Sequence, residues 1–236
     1  MNLPLVVSAA GFGALAGALL PGAVHRMAVE PEQPWRDVCP NGHALRGLLP
    51  KCGRCSAWYG PDARLAAAVT ALVCGLLALA SGARPETVVW LLLAPFAVLL
   101  AAVDLRVRRL PDVLTLPMAA GTAALLGVAA LMPHGGGSWV RALLGAGALA
   151  SFYFAMFLIS PRGMGFGDVK LALTLGLVLG WYGWDTVLAG AFAGFLLGAT
   201  AGLALIVLRR ANRGTAIPFG PFMLAGALLG VLLAAS

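Results

Sequence analysis

The chain of 236 residues is 61% hydrophobic and only 11% charged, against about 25% charged residues in ordinary soluble domains. Its mean hydropathy of +0.92 makes lipid the solvent for most of the chain, which excludes a disordered polymer, a disulfide-stapled secreted scaffold and a nucleic-acid binder. Sixteen Lys and Arg against nine acids give a net charge of +7, and in a membrane chain such an excess sets orientation first.

A helix needs roughly 20 mostly apolar residues to cross hydrocarbon. The sequence offers eight such runs, at 3–24, 64–82, 86–103, 113–132, 139–160, 169–183, 185–208 and 216–235. The predicted fold is an all-α polytopic membrane protein with about eight transmembrane helices and a small loop domain after the first. Three parts follow: a first transmembrane helix (1–24), a polar Cys-containing loop (25–63) and a membrane-embedded core (64–236). The first run lacks a basic start and exceeds the length of a signal-peptide core, so it reads as a retained helix. Gly11, Gly13 and Gly17, Gly145 and Gly147, and Gly190, Gly194 and Gly198 read as packing faces, because small residues let helix backbones approach closely in lipid. The connection at 132–138 (MPHGGGS) reads as a flexible turn without chemistry.

Basic residues fix the direction. Arg26, Arg36, Arg46, Lys51, Arg54, Arg64, Arg106, Arg108, Arg109, Arg162, Lys170, Arg209, Arg210 and Arg213 fall in or beside the connections after the first, third, fifth and seventh runs. Only Arg84 and Arg141 fall on the other side. This bias places those four connections in the cytoplasm and both termini outside.

The acids are few enough to weigh singly. Glu30, Glu32, Asp37 and Asp62 lie in the polar loop, Glu86 and Asp185 begin runs on the outer side, and all six read as solvated. Asp104, Asp112 and Asp168 stand instead at cytoplasmic ends of runs, where burying a charge costs up to about 3 kcal/mol on insertion scales. Taken singly, Asp112 and Asp168 read as helix N-caps, and Asp104 as an ion-pair partner of Arg106, Arg108 and Arg109. Taken together, they suggest a polar site at the inner membrane edge. Two close carboxylates sharing a proton suit aspartic proteolysis, in which one activates water while its protonated partner polarises the scissile carbonyl. Asp104 would end a helix and Asp168 begin one, so the helix dipoles assign the shared proton to Asp104 and the base to Asp168. The glycines around Asp168, Gly165 and Gly167, leave room for a substrate backbone. The same acids also admit an alternative, a proton-coupled membrane transporter.

Cys39, His43, Cys52 and Cys55 form Cys-x3-His-x8-Cys-x2-Cys, a set that suits tetrahedral zinc in a loop too small for an apolar core. A cytosolic loop disfavours disulfides. Cys74, inside the second run, reads as a packing residue.

Three segments, VDLRVRRLPDVLTLP (103–117), GMGFGDVKLALTLGLVLG (163–180) and AIPFGPFMLAG (216–226), together with the eight runs, give the chain its resemblance to the type IV prepilin peptidases, membrane aspartic proteases of the GxGD type. The resemblance implies Asp104 and Asp168 as the catalytic pair and Asp112 as an accessory residue shaping its turn. It implies a site in the bacterial inner membrane, facing the cytoplasm. The substrates would be prepilins or pseudopilins of a type IV pilus or type II secretion system, cleaved after a Gly that ends a basic leader. Ile217–Phe222, with Pro218, Phe219, Gly220 and Pro221, would line the substrate groove. Lys170 and Arg162 would flank it as inner-edge anchors. The implied partners are the prepilin and the lipid bilayer, with no nucleic acid. Proteolysis of this kind needs no cofactor. Many relatives carry two Cys-x2-Cys pairs associated with N-methylation of the new pilin terminus. Here Gly42 and His43 stand near the place of the second cysteine of the first pair, so S-adenosylmethionine is implied only if methyl transfer is retained.

Overall fold

The computed structural model describes residues 2–30, 33–45, 47, 49–161, 163–208 and 217–235. Arg46, Arg162, Arg209, Arg210, Arg213 and Glu32 lie outside the described residues. Among those described there are eight helices and no strands: α1 (Leu3–Met27), α2 (Ala63–Ser81), α3 (Pro85–Val107), α4 (Asp112–Ala130), α5 (Trp139–Ile159), α6 (Phe166–Tyr182), α7 (Trp184–Val207) and α8 (Gly220–Ala235). Six of them, α1 to α5 and α7, are long and apolar enough to cross a membrane. The other two are short: α6 has 17 residues and starts three positions before the predicted run, and α8 has 16, four fewer than its run of 20. At 1.5 Å per residue they reach only about 25 Å. Charge shortens the apolar part of α6, which carries Asp168 and Lys170 in its first turns. Proline delays α8: residues 217–219 lie outside any helix and helix begins only at Gly220.

Apolar side chains cannot sort these helices by burial alone, because the lipid-facing side is as apolar as the core. Leu15, Leu72, Leu131, Phe192 and Leu233 all stand exposed on the outside. Small residues do the sorting. A Cβ on Gly13 would lie 2.6 Å from the Thr70 carbonyl oxygen, and one on Gly17 2.6 Å from that of Ala66, so α1 is pressed backbone to backbone onto α2. Gly145 of α5 meets Gly176 and Gly180 of α6 in the same way, and Gly190 and Gly194 of α7 meet Gly226 of α8. Gly198 packs on Phe219. Gly11 and Gly147 face open space, so they are not part of the packing faces. The main core gathers on α6, where Leu171, Ala172, Leu177, Leu179 and Trp181 are buried.

Two expectations at the end of the bundle holding the start of α3 are overturned. Glu86 is fully buried rather than solvated, and its Oε1 accepts a hydrogen bond of 3.0 Å from the Gly136 N–H. Nor is the 132–138 connection a loose turn. Ser138 N–H donates to the Trp181 carbonyl at 3.0 Å, a Cβ on Gly137 would run into the Trp181 main chain, and one on Gly136 would crowd the Glu86 carboxylate. The three consecutive glycines are what let this connection lie flat on the bundle. Glu30, Asp37, Asp62 and Asp185 are exposed, as their positions in the sequence suggest.

Candidate active site and metal centre

At the opposite end of the bundle, α3 runs out through Asp104 and stops at Arg108. That residue adopts a left-handed conformation (φ 51°) and returns its N–H to the Asp104 carbonyl at 2.8 Å. Four residues later α4 begins at Asp112. The turn brings Leu110 under α6, where a Cβ on Gly167 would stand 3.0 Å from the Leu110 side chain. Asp104, Asp112 and Asp168 thereby open on one cavity of about 380 Å³, with Lys170, Pro218 and Phe219 also in its wall. Leu110, Met164 and Phe166 line it as well. Hydropathy and charge patterns do not single out such residues, since each looks like ordinary span or turn sequence.

Two of the acids are held in closely similar ways. The Gly220 N–H, at the start of α8, donates to Asp104 Oδ2 at 3.0 Å, and the Gly165 N–H donates to Asp168 Oδ2 at 3.0 Å. Asp104 is only 4% exposed and Asp168 only 7%, so each carboxyl exchanges most of its water for a main-chain donor. The helix-cap reading is corrected accordingly. Gly165 is the N-cap of α6, and Asp168 sits three residues inside it with its side chain folded back onto the cap N–H, as the acidic member of a capping box does. Asp112 is likewise inside its helix, with Pro111 as the N-cap. Asp104 accepts a hydrogen bond from a glycine amide.

Asp112 pairs with Lys170 at 2.6 Å and so ties α4 to α6 beside the cavity. Lys170 also lies over the Phe166 ring, 4.9 Å from its centroid. Phe219 is backed by Tyr153 and Phe195, with ring centroids 6.1 and 5.1 Å away. Pro221 departs from expectation, lining a separate apolar cavity of about 260 Å³ that also touches α2, α3 and α6.

The loop between α1 and α2 folds around its cysteines. Short antiparallel bridges join Val38 to Ala44 and Lys51 to Trp58. Each closes a knuckle, with Cys39 N–H bonded to the His43 carbonyl at 2.8 Å and Cys52 N–H to that of Ala57 at 2.9 Å. The ligand atoms of Cys39, His43, Cys52 and Cys55 all lie within 4.8 Å of one another and could hold a metal ion. Burial pushes the Cys39 thiol up, while the N–H groups of Cys55 and Arg54 aimed at Cys52 pull that thiol down to about 7. The loop is tethered to the rest of the chain. Arg26 donates to the Gly47 carbonyl at 2.9 Å, and Arg109, in the cavity wall, donates to the Glu30 carbonyl at 3.3 Å.

Comparison with known proteins agrees with this architecture. The family model of the type IV leader peptidases matches residues 91–235, which include both buried aspartates. A prepilin leader peptidase/N-methyltransferase of Pseudomonas aeruginosa is 30% identical over 89% of this chain and 84% of its own length. Proteins of the same description from Aeromonas salmonicida and Aeromonas hydrophila are 34% and 35% identical over 75% and 76% of the chain. This chain spans about 60% of the length of each of these two relatives. No solved structure matches it.

Proposed function

This chain belongs to the type IV leader peptidase family, and from that premise we propose that it cleaves the basic leader of a type IV prepilin or pseudopilin after a Gly, at the cytoplasmic membrane face. One observation carries the reading. Two acids 64 positions apart in sequence are buried on one cavity, each with an oxygen held by a glycine amide. Asp104 and Asp168 are the catalytic pair, with the shared proton on Asp104 at the end of α3 and the base at Asp168 in the first turn of α6.

Asp168 takes a proton from a water molecule whose oxygen bonds to the scissile carbonyl carbon. The proton on Asp104 moves to the carbonyl oxygen as it gains charge. When the tetrahedral intermediate collapses, the carbon–nitrogen bond breaks, the leaving nitrogen takes the proton from Asp168, and one hydroxyl of the intermediate returns its proton to Asp104. The Gly220 and Gly165 amides keep both carboxyl planes from rotating, so geometry is set before substrate arrives. Phe219 and Pro218 form a wall beside the pair, and the Asp112–Lys170 bridge holds α4 to α6 at the mouth.

The metal reading is zinc. Tetrahedral zinc with bonds of about 2.3 Å to sulfur sets its thiolates about 3.8 Å apart, and Cys39 Sγ stands 3.7 Å from Cys55 Sγ and 3.7 Å from His43 Nδ1. With Cys52 the ligand set is closed, so the ion holds the loop together and takes no part in hydrolysis. The excess of basic residues in the connections after the first, third, fifth and seventh spans supports a cytoplasmic cavity and both termini outside.

Co-expression with a prepilin tests the assignment. The wild-type chain removes the leader, and Asp104→Asn and Asp168→Asn variants that accumulate in the membrane do not. Leader removal by either variant would overturn it. The mass of the mature pilin terminus in the same samples shows whether one methyl group has been added, and so whether S-adenosylmethionine is a second substrate.

A further inference from the structure

The helices bearing the two aspartates do not meet backbone to backbone. No Cα of α3 comes within 8 Å of a Cα of α6 among the described residues, and α4 and α8 each pack against both. A side-chain link does join them at the end of the bundle remote from the cavity. Trp90 Nε1–H of α3 donates to Tyr182 Oη of α6 at 3.0 Å, with the two rings 6.1 Å apart.

The position of that link in each helix is notable. Trp90 precedes Asp104 by fourteen residues on α3, and Tyr182 follows Asp168 by fourteen residues on α6. Fourteen helical residues span about 21 Å and nearly four full turns, returning to within about 40° of the starting direction. On each helix the linking residue and the aspartate therefore share a face. The helix α3 runs unbroken through Pro95 between them, so a rotation of its outer turn reaches Asp104.

The surroundings of the link are polar although buried. Glu86 is fully buried one turn before Trp90 with its Oε1 held by the Gly136 N–H, and Ser81 is a side-chain hydrogen-bond neighbour of Tyr182.

We propose that the Trp90–Tyr182 hydrogen bond is a register clamp for the peptidase: the two are positioning residues that fix the rotation and tilt of α3 relative to α6 and so keep Asp104 and Asp168 on the one cavity. The inference rests on the reading of those aspartates as the catalytic pair. Its leverage is large, because a tilt of α3 by about 3° at Trp90 displaces Asp104 by about 1 Å, and misplacement by about 1 Å can cost about 100-fold in rate.

The test uses the full-length chain in detergent, a synthetic prepilin leader substrate, and the variants Tyr182→Phe, Trp90→Phe and their combination. Thr122→Val serves as control, since it removes a different buried hydroxyl bond, to the Met118 carbonyl. Tyr182→Phe lowers kcat 10- to 100-fold with KM within twofold, the double variant loses no more than the worse single one, and the control keeps kcat within twofold. A Tyr182→Phe kcat within twofold of wild type, a change confined to KM, or effects that multiply in the double variant would each overturn the clamp. Should one single variant fail to accumulate, the other carries the same test. Asp168→Asn in the same assay separates the two readings. Cleavage surviving in that variant refutes the catalytic assignment, while cleavage lost there and unchanged in Tyr182→Phe refutes the clamp alone.

Discussion

Gly220 sits where a single methyl group tests the catalytic assignment. A Cβ at this position would stand 2.8 Å from Asp104 Oδ2 and 3.5 Å from Leu110 Cδ1. Ordinary carbon–oxygen contact begins near 3.4 Å, so Gly220→Ala must push the carboxyl away by about 0.6 Å while leaving the N–H donor in place. If a displacement of about 1 Å costs about 100-fold, then 0.6 Å costs on the order of tenfold in kcat. The strain is local and the added methyl favours helix, so thermal stability should move by no more than about 1 kcal/mol. Initial rates of leader removal at saturating substrate, with the melting temperature measured alongside, check both halves. A variant with wild-type kcat would refute the claim that the position of the Asp104 carboxyl governs the reaction. A variant that loses kcat only in proportion to lost folded protein would refute it equally.

The other expectations concern the scaffold. Asp112→Asn and Lys170→Met each lower stability by less than about 1 kcal/mol, because the Asp112 side chain is 60% exposed and solvent screens the pair. The double variant loses no more than either alone, as a thermal-melt cycle would show. Gly137→Ala forces a methyl onto the Trp181 main chain, and its melting temperature should fall by the equivalent of about 1–3 kcal/mol. Zinc affinity of the loop, read with a competing chelator dye, weakens below about pH 7 by roughly a further tenfold per pH unit. There the Cys52 thiol, held at about 7 by the Cys55 and Arg54 amides, takes a proton in competition with the ion. The sign is that of a depressed acid: the thiolate is favoured above the depressed value and lost as pH falls through it. A flat profile from pH 8 to pH 6 would exclude Cys52 as a ligand.

Local hydropathy was enough to place most of the helices. The runs at 64–82, 139–160 and 185–208 coincide with α2, α5 and α7 to within a residue or two, because a lipid-spanning helix is a property of consecutive residues. The misplaced starts of α6 and α8 have the same origin in reverse. Phe166 and Gly167 belong to α6 although Asp168 interrupts their apolar run, and the prolines at 218 and 221 look like span while 217–219 stay out of the helix. Contacts between distant segments were beyond such reading. Glu86 stands where a solvated acid is ordinary, and nothing near it in sequence announces that Gly136, fifty positions later, will cover it. Asp168 looked like a helix cap because caps are common at helix starts. The torsions that make Gly165 the cap instead are set by the fold around it. The cysteine cluster was legible as a set, since its members lie within seventeen consecutive positions.

Both holders of the acidic pair are main-chain N–H groups of glycine, and this bears on how the site tolerates genetic change. A missense change at Gly165 or Gly220 alters what crowds the carboxylate but leaves the donor intact, unless the new residue is proline. No single-nucleotide change turns a glycine codon into a proline codon. Drift at either glycine can therefore detune this site in small steps, whereas loss of the donor itself takes an insertion, a deletion or a compound event.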